Sequence, residues 1–596
     1  MNGIIRNFLW QGFSLVESTK FVLLEAKSIR YRTIVQKMGC SNSKSIDITN
    51  SKTQDKCSMQ ENKPEEEYVE DVVCNLSDLA ENELKTVDLD EGKVLLVKQR
   101  GVVSAIGTKC THYGAPLVGG ALGDGRVRCQ WHGACFNILT GDIEDFPGLD
   151  SLPCYKVTID DGKVKVRAKK SDLAENKRIK KMVTRDSKED QHIVVVGGGP
   201  SGAVCVETLR QEGFSGKITF VCKEKYLPYD RVKVSKAMGF EIEKTTFRNE
   251  SFYKENCIDV LLNVEATSVD TNAKTVTLGM GKSIKYDKLY IATGCVPRKL
   301  RVPGSDFKNV VLLRDYDDAS YTNSLLSEDK EVVILGSSFV AMEAANYCQN
   351  KVKKVTVIFR GELPFQPFLG PEIGAAVLEL FKSKNINFVT NSGITEVKGD
   401  NEGNVCEVVL PNGSTLRADI LITGIGSTYS TDFVKNSGIQ MRSDGTIETN
   451  EYLQTNVPEV FVGGDIAFAP VWCHNNEKSA IGHYPLAHYH GRIAALNILG
   501  KKAILKGVPY FWTMLFGKSI RYAGYGSYDK IIYDGDVSDL KFVAFYLKDG
   551  IVVAASSCNR DPVVSQFAEL LAQGKKLTEE ELIKDPLGWT KNIVPN

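Results

Sequence analysis

Hydrophobic and polar positions divide the chain into segments of different period. Between residues 68 and 169, short apolar runs such as "KVLLVKQ" and "VVSAIG" alternate with polar residues and are separated by glycine and aspartate. A period of two is typical of half-buried strands, so this segment predicts a small all-β domain. The almost wholly polar stretch at 170–190 predicts a linker.

Two later segments follow another pattern, in which a β-branched strand leads into a glycine turn and a helix. The first is "HIVVVGGGPSGAVCVETLRQEGF" from residue 192, and the second is "EVVILGSSFVAMEAANYCQN" from residue 331. Each predicts the start of a βαβ unit in a parallel sheet, and therefore a dinucleotide-binding domain. From about residue 505, the runs "KFVAFYL" and "IVVAASS" predict a further α+β domain.

These patterns predict a multi-domain chain, as its 596 residues also require. The predicted segments are a disordered targeting or tether segment at 1–67, an all-β domain at 68–169, a linker at 170–190, a first dinucleotide-binding domain at 191–320, a second at 321–445, the remainder of the first at 446–504, and an α+β domain at 505–596.

Composition narrows the function classes. Lys+Arg and Asp+Glu both number 74, and this neutral balance argues against a basic nucleic-acid-binding surface. The fifteen cysteines are scattered and odd in number, which is typical of a reducing compartment with a few functional thiols. The sequence contains no stretch of about 18 apolar residues, which is the length that would predict a membrane-spanning helix.

The N-terminus allows three interpretations. Residues 1–37 hold six Lys/Arg and two Glu, which fits an organelle presequence. Translation from Met38 would instead expose Gly39 for myristoylation and Cys40 for palmitoylation, and two acyl chains would anchor the protein to a membrane. The third interpretation is a disordered tail.

Two short runs carry candidate metal ligands: Cys110 with His112, and Cys129 with His132. Thiolate and imidazole suit zinc or an iron–sulfur cluster, and the absence of oxygen ligands excludes hard cations. Each run offers one cysteine and one histidine, whereas structural zinc modules usually carry a Cys-x-x-Cys pair. A mixed-ligand [2Fe–2S] cluster needs two of each. The alternatives are zinc and a chance grouping, which the total of seven histidines disfavours.

Together with the glycine that follows each histidine, these runs resemble a Rieske domain. The resemblance implies that two cysteines hold one iron and two histidines the other. Ala115 and Trp131 stand where respiratory Rieske proteins carry an extra cysteine pair, joined as a disulfide. This implies the ferredoxin-like subtype, whose potential lies toward the lower end of the Rieske range.

The first glycine turn reads Gly197-x-Gly199-x-x-Gly202. In a dinucleotide fold these glycines allow a tight turn, close approach of the pyrophosphate and close packing of helix on strand. A second strand, "ITFVCKE", ends at Glu224, where a ribose-binding acid is expected. The alternative is a glycine cluster that serves packing alone.

Two further motifs resemble the later flavin motifs of the glutathione-reductase-like superfamily. They are "IATG", with Thr293 and Gly294, and "VGGD", with Asp465. The resemblance implies that FAD is bound, that Asp465 contacts the ribityl chain, and that the N-terminus of the helix after it points at the flavin ring.

The run "LPYDRVKVSK" resembles ferredoxin-reductase-type flavoproteins, which lack a redox-active Cys-x4-Cys disulfide. The resemblance places Arg231 near FAD, Lys236 near the flavin ring and Ala266 at the adenine. It also pairs Lys236 with Glu343 beside the flavin, and these two are the predicted catalytic residues. Surface charge is the alternative interpretation of Arg231 and Lys236.

The second glycine turn resembles the NAD(P)H-binding unit but retains only Gly336, with Ser338 and Ala341 at the other two positions. Ser338 adds a Cβ where a phosphate approaches the backbone, which is expected to weaken binding. Arg360, after the next strand, stands where NAD enzymes of this family carry an acid. It could accept a 2′-phosphate, so the sequence leaves open NADPH binding and loss of nucleotide binding.

From about residue 70 to 596, with a Rieske-like segment ahead of the reductase and the late run "PYFWTMLFGKSIRYAGYG", the chain resembles Rieske-bearing proteins of the apoptosis-inducing-factor family. This implies a small all-β Rieske domain, an α/β flavoprotein with two dinucleotide-binding domains, and an α+β C-terminal domain. It also implies mitochondrial association and a role in cell death. The sequence predicts no oligomeric state.

The predicted function is an oxidoreductase in which NAD(P)H reduces FAD, FAD reduces the attached cluster, and the edges of His112 and His132 pass electrons to an unknown acceptor. The 170–190 linker would set the reach of the Rieske domain. The alternative is a redox-sensing protein whose cofactors control partner binding. A nucleic-acid-binding death effector is disfavoured by the neutral charge.

Overall fold

A computed structural model describes residues 66–594 of the chain. The predicted presequence, the Met38 start with its acylation sites, and almost all of the tether lie outside these residues. Within 66–594 there is no helix of the length and apolarity needed to cross a membrane. Residues 67–594 belong to one compact unit.

The N-terminal β domain contains a six-stranded antiparallel sheet and a four-stranded one. Its strands are β1 (Tyr68–Asn75), β2 (Glu83–Leu89), β3 (Gly92–Gln99), β4 (Val102–Ile106), β5 (Ala121–Leu122), β6 (Arg126–Arg128), β7 (Cys135–Asn137), β8 (Ile143–Asp145), β9 (Cys154–Asp160) and β10 (Lys163–Lys169). Successive residues of a strand point to opposite faces. Leu95 and Val97 therefore pack with the two Cys/His loops, whereas Val94 and Leu96 pack with β10 on the other face.

The first α/β domain is built on a parallel sheet of order β13-β12-β11-β17-β29. Its elements before the second domain are β11 (His192–Val196), α2 (Pro200–Gln211), β12 (Lys217–Val221), α3 (Lys233–Lys236), α4 (Glu250–Glu255), β13 (Ile258–Leu261), β14 (Ala266–Asp270), β15 (Thr275–Leu278), β16 (Ser283–Lys285), β17 (Lys288–Ile291) and β18 (Cys295–Pro297). Those after it are β28 (Ile447–Glu448), β29 (Val460–Val462), β30 (Ala467–Pro470), β31 (Lys478–Ser479) and α9 (Tyr484–Ile498). Their apolar strands form one buried core.

The second α/β domain has a parallel sheet of order β19-β26-β20-β21-β22. Its elements are β19 (Val310–Val311), α5 (Tyr316–Leu325), β20 (Glu331–Leu335), α6 (Phe339–Cys348), β21 (Lys354–Ile358), α7 (Gln366–Leu369), α8 (Pro371–Lys382), β22 (Ile386–Val389), β23 (Glu396–Gly399), β24 (Val405–Val409), β25 (Thr415–Arg417), β26 (Ile420–Thr423) and β27 (Ser427–Tyr429). Strand β19 pairs with β26 and α5 crosses the predicted boundary at 320. The sheet therefore begins earlier than the sequence pattern indicates, because a two-residue strand has no readable period.

The C-terminal domain is an antiparallel sheet of order β32-β33-β36-β35-β34 with two helices. Its elements are β32 (Tyr510–Leu515), β33 (Lys518–Gly524), β34 (Lys530–Asp536), β35 (Lys541–Lys548), β36 (Ile551–Cys558), α10 (Val563–Ala572) and α11 (Glu579–Lys584). One face of α10 packs on the sheet through Val564, Phe567 and Leu571. This is the α+β architecture that the sequence predicts.

The segment at 170–190 does not behave as the freely reaching linker expected from its polarity. It begins with helix α1 (Lys170–Glu175), and the Asn176 side chain accepts from the Lys109 N–H at 3.2 Å and donates to its carbonyl at 2.7 Å. The backbones of Arg178 and Ser151 exchange hydrogen bonds of 2.7 and 2.8 Å. Polar residues here satisfy backbone groups of the β domain, and this holds the segment in place.

Candidate functional site

In the first glycine turn, two glycines allow close backbone packing and the third borders open space. Gly197 has a φ of +124°, and a Cβ there would lie 2.2 Å from the Ala292 carbonyl oxygen. A Cβ on Gly202 would lie 2.1 Å from the Gly197 carbonyl oxygen. Around Gly199, at the start of α2, a Cβ would meet no protein atom within 4 Å. This open position before a helix N-terminus fits a dinucleotide pyrophosphate.

Glu224 lies just beyond β12 and is already paired within the protein. It forms an ion pair with Arg231 and accepts a hydrogen bond of 2.9 Å from the Tyr229 hydroxyl. Ala266, the first residue of β14, follows Val264, whose N–H donates to the Cys222 carbonyl beside the end of β12. The residues predicted to contact the ribose, FAD and adenine therefore lie near the last residue of β12 and the first residue of β14.

The two later flavin motifs meet across the first α/β domain. Gly294 has a φ of +66° and precedes Cys295, whose thiol donates to Asp465 at 3.3 Å. The Thr293 hydroxyl donates to the Ser430 carbonyl at 2.7 Å. Asp465 is the middle residue of the 3₁₀ turn Gly464–Ile466, and the long helix α9 begins beyond Gly482, which lies against the Asp465 carboxylate. The α9 N-terminus therefore lies on the Asp465 side of the domain.

The structure pairs Lys236 with Glu343, as the family resemblance implied. Glu343 is 4% exposed and lies on α6 of the second α/β domain, whereas Lys236 ends α3 of the first. The Glu343 carboxylate also accepts from the hydroxyls of Ser235 at 2.5 Å and Thr513 at 2.7 Å. Three domains thus contribute to one buried charge-assisted network.

The second glycine turn compensates for its two missing glycines. Gly336 has a φ of +119°. The Ser338 hydroxyl accepts from the Ala341 N–H at 3.3 Å and donates to the Gly424 carbonyl at 3.1 Å, so it caps α6. The Ala341 methyl fits because the facing residue is Gly424, where a Cβ would lie 2.8 Å away from it. Arg360, two residues beyond β21, is exposed.

The four predicted cluster ligands form two pairs. Cys110 and Cys129 are buried and hydrogen-bond each other. The Nδ1 atoms of His112 and His132 lie 3.1 Å apart. In residues 66–594 no three His, Cys, Asp or Glu side chains are grouped as a single metal ion requires. A thiol pair beside an imidazole pair fits the donor set of a mixed-ligand two-iron cluster.

Electrostatics at the two loops suit metal ligation. Burial lowers the pKa of His112 to about 4, so its imidazole is neutral and can use a lone pair. Burial, and then the charges of His112, Arg521 and Lys236, lower the pKa of His132 to about 2. A hydrogen bond from Cys110 lowers the pKa of Cys129, and backbone N–H groups of residues 131 and 132 lower it further, whereas the same thiol pairing and burial raise the pKa of Cys110. Such N–H donors favour thiolate sulfur.

The cysteines of residues 66–594 are all free. Ala115 is buried within the loop region, and Trp131 is partly exposed. Cys135 lies in β7 with its sulfur 3.6 Å from Glu569. Cys205 and Cys222 are buried, and both are unpaired. The described residues thus contain neither a disulfide beside the cluster loops nor one at the flavin turn.

The predicted ligand histidines contact the reductase part of the chain, with His132 buried and His112 partly buried. The His132 ring lies 4.4 Å from the ring of Trp512 on β32, and His112 lies 6.0 Å from it. Tyr113 stacks on His112 at 3.9 Å and donates its hydroxyl proton to Asp230. The cluster loops are thus inserted between the first α/β domain and the C-terminal domain.

The sequence did not indicate that Trp512 and Asp230 contact the two Cys/His loops. Both lie in stretches that were quoted for the family resemblance, "PYFWTMLFG" and "LPYDRVKVSK". The runs identify these residues but carry no signal of contact with a loop some hundreds of positions away.

Comparisons with known proteins agree with this geometry. Three family models match successive parts of the chain. They are the Rieske [2Fe-2S] domain over residues 70–156, the pyridine nucleotide-disulphide oxidoreductase model over 191–491, and the reductase C-terminal model over 510–588. Human apoptosis-inducing factor 3 is 43% identical over 523 residues, which cover 87% of this chain and 86% of the human protein.

Two further similar proteins match a smaller part of this chain. The ferredoxin–NAD(+) reductase subunit of the benzene 1,2-dioxygenase system of Pseudomonas putida is 27% identical over 410 residues, which cover 68% of this chain and 97% of the subunit. The crystal structure of the covalent putidaredoxin reductase–putidaredoxin complex superposes with a TM-score of 0.64 at 25% identity, covering 68% of this chain and 98% of that chain.

Proposed function

Because the chain belongs to the pyridine nucleotide-disulphide oxidoreductase family and carries a Rieske domain, we propose that its flavin reduces its own cluster. It is an NAD(P)H-dependent oxidoreductase that uses FAD and a [2Fe–2S] cluster. When bound, FAD accepts an electron pair from NAD(P)H, and the cluster accepts one electron at a time.

The observation that carries this proposal is the position of His132. Its ring contacts Trp512 at 4.4 Å, and the charge of Lys236 contributes to its lowered pKa. Lys236 is also the residue that the resemblance places beside the flavin, held there by Glu343. One lysine is therefore near both proposed redox sites.

The residues predicted to bind FAD have distinct tasks. Gly199 leaves the α2 N-terminus open to the pyrophosphate, and Glu224 with Arg231 lies at the ribose side. Asp465 faces the ribityl chain from the side of the α9 N-terminus. Lys236 and Glu343 hold balanced charge at the flavin ring, where burial makes the pair strongly oriented.

The outlet to the external acceptor lies on the exposed side of the cluster loops in this proposal. Tyr113 is 40% exposed and stacks on His112, and Trp131 is 37% exposed with its ring 6.3 Å from that of His132. These rings connect the buried ligand histidines with the surface. In the solved putidaredoxin complex the reductase has a separate protein partner, whereas here the Rieske domain is part of the same chain.

Replacing Trp512 with leucine tests the internal route. We expect flavin reduction by NADPH to keep its rate, while reduction of the cluster slows about tenfold because the contact with His132 is lost. Anaerobic stopped-flow absorbance follows the flavin, and freeze-quench EPR follows the reduced cluster. Trp512→Phe, which keeps an aromatic ring, should recover most of the rate.

Wild-type protein provides the decisive control for that experiment. If NADPH and NADH bleach the flavin while the cluster remains oxidised, internal transfer is wrong. The alternative function, a redox sensor that controls partner binding, predicts reduction of both groups but no sustained NAD(P)H oxidation with any one-electron acceptor, including ferricyanide and cytochrome c.

We propose that Arg360 contacts the 2′-phosphate of NADPH and sets a preference for NADPH over NADH. The expected result for Arg360→Glu is a rise of about tenfold or more in the KM for NADPH, since a charge-assisted hydrogen bond is lost and repulsion replaces it. Steady-state kinetics with both nucleotides measure this. Arg100→Glu reverses an exposed arginine of the Rieske domain and should change neither KM. A wild-type preference for NADH would contradict the assignment.

A mitochondrial location and a role in cell death are further proposals, supported by the family resemblance and by the name of the human relative. Imaging of the full-length chain with a C-terminal tag tests the location. A Met38→Ala variant distinguishes a presequence from acylation after a downstream start, because only the second requires Met38.

A further inference from the structure

The C-terminal domain holds the second cluster loop, residues 129–133, through three direct contacts. The Ser565 hydroxyl on α10 donates to the Cys129 carbonyl at 3.0 Å. The Arg521 Nε on β33 donates to the Trp131 carbonyl at 3.0 Å. The Tyr510 ring packs so closely on Gly133 that a Cβ there would lie 2.9 Å from it. Two predicted ligands, one Cys and one His, belong to this loop.

A buried network of ion pairs also connects the C-terminal domain to this loop. Glu569, also on α10, is 0% exposed and accepts from the Nε atoms of Arg126 at 2.8 Å and Arg128 at 2.6 Å. Arg128 then donates to the Gly133 carbonyl at 2.8 Å and pairs with Asp145. The carboxylate of Glu569 therefore reaches the backbone beside His132 through one arginine.

The network is electrically balanced and closely fitted. Two arginines face two carboxylates, which compensates the cost of burying all four charges. Gly123 provides the room, because a Cβ at that position would lie 2.2 Å from the Glu569 carboxylate. Removing one charge of this network leaves an opposite charge buried without full compensation, so the contact between α10 and the loop depends on each of the four residues.

We propose that α10 completes the Rieske site: Ser565 positions the Cys129 ligand, and Glu569, acting through Arg128, positions the Gly133 backbone next to the His132 ligand. The role of Glu569 rests on the proposed transfer from flavin to cluster, whereas the role of Ser565 rests only on the presence of the cluster. Both are positioning residues, because neither contacts the predicted ligand side chains of the loop.

Two consequences follow from this placement. The Ser565 hydroxyl proton compensates the negative end of the Cys129 carbonyl next to the predicted ligand, which favours the reduced, more negative cluster. Glu569 keeps the Rieske domain docked with His132 against Trp512, so the cluster receives electrons without a swinging motion of its domain.

The Ser565→Ala variant tests the first consequence in the full-length protein. We expect the midpoint potential of the cluster to shift downward, with the cluster content and the flavin potential unchanged. EPR-monitored redox titration measures both. Ser538→Ala removes an exposed hydroxyl of the same domain and should leave the cluster potential at the wild-type value.

The Glu569→Gln variant tests the second consequence. We expect the rate of cluster reduction by the flavin to fall about tenfold or more, while NADPH reduces the flavin normally. Glutamine keeps one acceptor oxygen but replaces the other with a donor, and it leaves Arg126 and Arg128 without their shared negative charge. Glu580→Gln makes the same chemical change at an exposed position of α11 and should behave as wild type. Limited proteolysis, applied to apoprotein and holoprotein, should release the Rieske domain faster from Glu569→Gln than from wild type. Glu580→Gln should release it at the wild-type rate.

The outcomes separate this inference from the proposed function. If wild-type flavin reduces the cluster and both variants match wild type in potential and rate, α10 has no positioning role. If Glu569→Gln yields no folded protein, the result for Ser565→Ala still decides, since loss of one hydroxyl leaves the ion network intact. If wild-type cluster is not reduced, the proposed function fails, while the Ser565→Ala potential shift tests the inference independently.

Discussion

Replacing His132 with alanine is expected to remove the cluster and to leave FAD bound. His132 and His112 bring their Nδ1 atoms to 3.1 Å, and both are needed to complete the ligands of one iron. Iron should fall from about two per chain to near zero, and the EPR signal of the reduced cluster should disappear. Iron and labile-sulfide assays, EPR and the FAD-to-protein absorbance ratio measure the effect.

His474→Ala is the matched control, because His474 is a partly exposed histidine of the 3₁₀ turn Trp472–His474 and pairs with Glu477. It should retain iron, sulfide and FAD. Wild-type protein with zinc in place of iron and sulfide would disprove the mixed-ligand assignment, and so would an undiminished EPR signal in His132→Ala.

Gly202→Ala is expected to destabilise the first α/β domain by about 3 kcal/mol or more and to abolish FAD binding. The added methyl would lie 2.1 Å from the Gly197 carbonyl and 2.8 Å from the Phe220 ring, so helix α2 must move off the sheet. Thermal unfolding of the apoprotein reports the loss of stability, and fluorescence titration with FAD reports the loss of binding.

Gly199→Ala, at the neighbouring position of the same motif, should separate binding from folding. Gly199 has a φ of −89°, which alanine adopts, and its Cβ would meet no protein atom within 4 Å. Apoprotein stability should therefore match wild type, while FAD affinity falls about tenfold because the methyl occupies the pyrophosphate approach. Equal stability losses in the two variants, or unchanged FAD affinity in Gly199→Ala, would contradict this division of roles.

The two glycine turns show how far the pattern of a motif can be interpreted. The spacing of Gly197, Gly199 and Gly202 predicts a dinucleotide fold, and the two later motifs were needed to expect FAD. At the second turn, the serine at 338 suggested a steric defect, yet its hydroxyl caps α6 and the space for Ala341 comes from Gly424. Gly424 is 83 residues further along the chain, where no local pattern could indicate its role.

Periodicity and residue spacing by themselves determined the order of domains and the two dinucleotide units, and they predicted four candidate metal ligands. These features depend on neighbours within one strand, turn or helix, where a period of two or a glycine interval is directly visible.

Only the tertiary structure decided which way the cluster faces, and what holds it. Trp512, Ser565 and Glu569 reach the loops from the far end of the chain, and the polar 170–190 segment is bound rather than free. Such contacts form between elements hundreds of residues apart, where burial and charge pairing act through space and leave no spacing in the sequence.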